Sequence, residues 1–173
     1  MSFVGLVVTA CLPSSADLSR VSSIDDLQRI PLDEATSVMA FTRNGWLNNR
    51  LEEIARIHQL ALLPTGESPA VTGFDATLDR FIDGLGGFLQ SLRHDPGQLP
   101  AGARELADDD EVRHAIALAP ASLDAAIAAF KAATARDEDG EQLETLLSLL
   151  WCQLRLAEHA QAQGLRYLCV RSP

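Results

Sequence analysis

The stretch from Glu141 to Arg171 constrains the fold of this chain more than any other part of its sequence. It contains a long amphipathic segment, a glycine and then a short apolar run. Apolar residues recur at steps of three and four, which is the period of one helix face; they are Leu143, Leu146, Leu147, Leu150, Trp151, Leu154 and Ala157. A helix of about 24 residues spans roughly 36 Å. The rest of the chain therefore has to pack along it.

Two apolar runs predict β-strands at opposite ends of the sequence. Gly164 favours the left-handed conformation that ends a helix, and the residues from Tyr167 to Val170 are typical of a buried strand. A second apolar run, from Phe3 to Ala10, ends before Pro13. Two strands are marginally stable unless other elements cover them. We therefore expect the two strands to lie side by side under helices, with a third strand at residues 70–73.

Capping residues and apolar spacing predict seven further helices between these strands. They cover residues 16–21, 24–29, 32–44, 46–63, 75–92, 108–119 and 123–136. Three glycines between Gly84 and Gly87 predict a kink, a break or a close backbone contact in the fifth of them. The sequence thus predicts an α+β, predominantly helical fold. It is a single compact domain over residues 1–173, with about eight helical segments packed around a small sheet that contains the N- and C-terminal strands.

Charge is the global property that bears most directly on function. The chain has 24 acidic and 14 basic residues among its 173, which gives a formal net charge of −10. Phosphate contacts need clustered Lys or Arg, so the sequence predicts no nucleic-acid partner and no anionic membrane surface. A basic protein partner is favoured, because opposite charge accelerates encounter.

Two acidic runs and one tryptophan are the candidate partner-binding residues. They are Asp108, Asp109, Asp110, Glu111, Asp137, Glu138, Asp139 and Trp46. Each run directly precedes a predicted helix, where acidic residues are favoured by the helix dipole. Neither run has the alternating ligands of a calcium loop. Trp46 follows the turn signal Asn44-Gly45, and an exposed Trp at that position would suit a protein interface.

No residue pattern in the chain is typical of a catalytic, metal or cofactor site. The four histidines, His58, His94, His114 and His159, have no second His or Cys at zinc-ligand spacing. Nucleophile motifs and phosphate-binding glycine loops are also absent from the sequence. Cys11, Cys152 and Cys169 are widely spaced and odd in number, which favours reduced, buried thiols. We therefore expect no cofactor, no metal and no catalytic residues.

The N-terminal residues Leu6 to Cys11, LVVTAC, are similar to a lipoprotein-processing box. No Lys or Arg precedes them, and the apolar run is too short for a signal sequence. No stretch approaches the 18 or more apolar residues of a membrane span. These observations predict a cytoplasmic protein.

Two segments resemble the C-terminal half of the YfbM-like family of uncharacterised bacterial proteins. They are GARELADDDEVRHAIALAPASLDAAI, residues 102–127, and LETLLSLLWCQLRLAEHAQAQGLRYLCV, residues 143–170. The N-terminal MSFVGLVVTACLPSSADLSRV is similar in outline. The chain departs from the family pattern at Glu105, where members have an aromatic residue, and at Ala107-Asp108, where they have Thr-Pro. The resemblance implies a compact α+β fold and no established activity.

Compact size, strong acidity and the absence of catalytic motifs together predict a non-enzymatic interaction protein. The leading hypothesis is an immunity-type inhibitor that binds and neutralises a basic bacterial toxin or effector domain. One alternative is an enzyme or small-molecule binder with a pocket between helices and sheet. Another is a regulatory homodimer that buries an apolar helix face.

Overall fold

A computed structural model describes residues 7–12, 37–38, 71–73, 78–99, 104, 107–108, 110–136 and 143–171 of the chain. Its strands are β1 (Val7–Leu12), β2 (Ser37–Val38), β3 (Val71–Gly73) and β4 (Arg166–Arg171). Its α-helices are α1 (Leu78–His94), α2 (Asp110–Leu118), α3 (Leu123–Arg136) and α4 (Leu143–Gln163). The described part of the chain is thus mostly helical, as the sequence predicts.

The strands form one longer antiparallel pair with a short strand on each side. β1 pairs with β4 over six residues, from Val7 opposite Arg171 to Leu12 opposite Arg166. β2 and β3 pair with the outer edges of β1 and β4, which gives the order β2-β1-β4-β3. Because β2 and β3 have only two and three residues, most of the described packing comes from the helices.

Helix α4 is the centre of that packing. All eight side chains from residue 147 to residue 154 are buried, which is more than two full turns. The described elements in contact with α4 are α1, α2, α3, β1 and β4. The sequence pattern predicts one apolar stripe, but Ser148 and Gln153, on other faces, are buried as well. A helix that is covered on every side buries its polar residues together with its apolar ones.

Contacts between named residues give the directions of α1 and α3. Asp79, near the start of α1, accepts a hydrogen bond from Gln161, near the end of α4. Farther along α1, a Cβ at Gly86 would lie 3.9 Å from Leu154 Cδ1. α1 therefore runs antiparallel to α4, and its last turn lies towards the start of α4.

Helix α3 has the same direction as α1. The Cys152 Sγ donates to the carbonyl oxygen of Ala126 at 3.0 Å, near the start of α3. At the other end of α3, Arg136 pairs with Glu144 in the first turn of α4. α3 and α4 thus form an antiparallel hairpin. α1 also finishes towards the end of the bundle at which α3 ends and α4 begins.

The predicted arrangement of eight helical segments around a sheet is not supported by the described residues. Four α-helices are present there, and three of them pack on the fourth, α4, rather than around the strands. The predicted helix at residues 32–44 is wrong at Ser37–Val38, which form strand β2 because they pair with Thr9 and Ala10 of β1. The other predicted helices between residues 16 and 63 lie outside the described ranges. Tyr167 of β4 is buried in the core, and its ring centroid lies 5.4 Å from that of Phe81.

Of the kink, break or close backbone contact predicted for Gly84–Gly87, the break is wrong. Helix α1 is continuous from Leu78 to His94. A Cβ at Gly86 would make only an ordinary contact, and a Cβ at Gly87 would meet no atom within 4 Å. Burial of Leu85, Phe88 and Leu89 on either side of these glycines holds the helix together and outweighs their low propensity.

Two glycine substitutions should therefore have opposite effects on the free energy of unfolding. Gly164 has a φ of 65° after the end of α4, so Gly164→Ala should destabilise the protein by about 1 kcal/mol. Gly87 lies inside α1 with open space around it, so Gly87→Ala should stabilise it by roughly 0.5–1 kcal/mol. Urea unfolding of both variants measures the difference. Equal effects of the two substitutions would contradict it.

Candidate acidic interaction site

The first acidic run lies at the start of helix α2. Asp108 and Asp110 are both exposed, and the side chain of Asp110 is 96% accessible. The helix forms because Val112, Ala115 and Ile116 recur on one face and are buried against the core. That packing turns the start of α2 outward. Its carboxylates lie at the positive end of the helix dipole, where they are favoured.

Arg113 is a basic residue of α2 that contacts both of these aspartates. Its Nη2 donates to Asp110 Oδ1 at 2.8 Å and to the main-chain oxygen of Asp108 at 3.1 Å. The side chain of Arg113 is 62% accessible. An exposed pair three residues apart on a helix contributes only about 0.3–0.5 kcal/mol. Arg113 thus covers one carboxylate loosely and leaves the carboxylate of Asp108 without an ion pair among the described residues.

The second acidic run, Asp137, Glu138 and Asp139, lies outside the described residues, but its neighbours are described. Arg136 ends α3 and pairs with Glu144 in the first turn of α4. Glu144 is only 18% accessible there, whereas Arg136 is 58% accessible. The ion pair joins the two helix ends that the run connects.

Three other predicted site residues have no described side chain. Asp109 and Trp46 lie outside the described residues, and Glu111 is placed in α2 without its side chain. Of the eight candidates, the structure therefore shows the side chains of Asp108 and Asp110, and brings these two to one exposed helix start.

The described histidines are His94, His114 and His159. His94 and His114 are exposed, and His159 is half-buried. The Nε2 atom of His159 is buried and has no hydrogen-bond partner among the described residues. The described residues also contain no group of three metal-binding side chains.

Arg155 makes a polar cluster that the sequence pattern did not indicate. Its Nε donates to the carbonyl oxygen of Pro120 at 2.9 Å, and its Nη1 donates to both carboxylate oxygens of Glu158. Its guanidinium carbon also lies 5.3 Å from the ring centroid of Trp151. These contacts fix the turn between α2 and α3 on α4. In the sequence, only the i, i+3 spacing of Arg155 and Glu158 indicates any of these contacts.

Cys152 is a buried thiol in the helical core, as the sequence predicts for it. Its residue is 2% exposed, and burial raises the pKa of the thiol from an ordinary value of 9.0 to about 12. A thiol with a raised pKa carries almost no thiolate at neutral pH and is a poor nucleophile. Cys152 therefore serves packing. The side chains of Cys11 and Cys169 lie outside the described ones.

Comparisons with protein-family models, curated proteins and solved structures find no match to this chain. Within the described residues, no helix has the length and apolar character needed to cross a bilayer.

The raised pKa of Cys152 predicts a loss of stability at alkaline pH. The folded state favours the protonated thiol, so its contribution is complete below pH 9.0 and is lost as the pH rises towards 12. The free energy of unfolding should fall with a slope of up to about 1.4 kcal/mol per pH unit from this group. Cys152→Ala should remove that slope. Parallel pH profiles of both proteins between pH 8 and 11 would contradict the assignment.

Proposed function

We propose that this chain is a non-enzymatic, acidic interaction protein of the immunity type, which binds and neutralises a basic toxin or effector domain. The observation that carries the proposal is the exposed pair Asp108 and Asp110 at the start of α2, in a chain of net charge −10. The site offers carboxylates and little apolar surface. Charge therefore provides the recognition.

The ion pair between Arg113 and Asp110 is weak, and this supports the binding of a cationic partner. Both side chains are largely in water, where an ion pair gains little. An incoming Arg can make two parallel bonds to a carboxylate and can exclude water from it. Such a partner can displace Arg113 at little cost.

The direction of α2 supports an acidic surface at one end of the bundle. α1 and α3 finish towards the end at which α4 begins, and α2 ends beside Arg155, farther along α4. We infer that α2 starts near that end, so that its first residues lie on the side of the Arg136–Glu144 ion pair. Carboxylates there would suit the cationic cleft of a toxin.

The remaining architecture belongs to the same proposal. We propose that helices at residues 16–21, 24–29 and 46–63 complete a predominantly helical fold with a small sheet containing both terminal strands. The six-residue pairing of β1 with β4 supports this arrangement. Membership of the YfbM-like family and a cytoplasmic location are proposed on the sequence patterns alone. A cytoplasmic inhibitor would protect the cell in which its toxin is made.

The proposal is tested first by capturing the partner from the native host at about 150 mM salt, and by asking whether a toxin-like reading frame lies next to the gene. A stoichiometric, basic protein is expected. Its association rate should fall by about tenfold in Asp108→Asn/Asp110→Asn, because two charges that steer encounter are lost. Surface plasmon resonance at two salt concentrations measures this rate.

Asp83→Asn is the matched control, because Asp83 is an exposed aspartate on α1 away from the run. It should change the association rate less than twofold. The proposal fails if no stoichiometric protein partner is recovered. It also fails if neutralising Asp108 and Asp110 changes association no more than the Asp83 control does.

A further inference from the structure

We draw no further inference here: the strongest candidate, the exposed outer face of helix α2, which runs from Asp110 to Leu118, joins an acidic helix start to one exposed leucine, and nothing in the structure shows what covers it.

Discussion

The burial of α4 on all sides is the constraint on which the described fold depends. A helix with this much apolar surface cannot remain in water, and a single partner helix would cover only one face of it. Three helices and the β1–β4 pair cover it together. Each of these elements needs only one apolar face of its own. Leucine-rich α4 thus explains how each surrounding helix can be held in the core through one apolar face.

The sequence was a good guide where the packing is helical and local. The apolar periods of α1, α3 and α4 are strong, and the left-handed glycine after α4 lies where its position predicts. It was a poor guide to the glycine run, since intrinsic propensity is a small term beside the burial of Leu85, Phe88 and Leu89. Helix α4 is also buried on more sides than its single apolar stripe predicts, since all residues from 147 to 154 are buried. Thr145, Ser148 and Gln153 are polar residues, so the sequence alone does not predict their burial. They are buried because the surrounding elements cover their sides of the helix.

The candidate site could be predicted in part for a physical reason. Acidic residues before a helix follow from the helix dipole, so Asp108 and Asp110 could be placed at a helix start and in water. The pairing of Asp110 with Arg113 follows from their i, i+3 spacing. The cluster around Arg155 could not be predicted, since its acceptor Pro120 lies 35 residues away in sequence. Contacts of that kind depend on the fold as a whole.

The pairing of β1 with β4 has a consequence for the order in which the protein is made. Val7 and Arg171 are opposite each other in the ladder. At about 5–20 residues per second, a ribosome needs roughly 8 to 30 s to synthesise the chain between them. During that interval β1 has no β4 to pair with, although the segments between them can already form helices. We therefore expect closure of the ladder to follow synthesis of β4, after the helices between the two strands in sequence have begun to assemble.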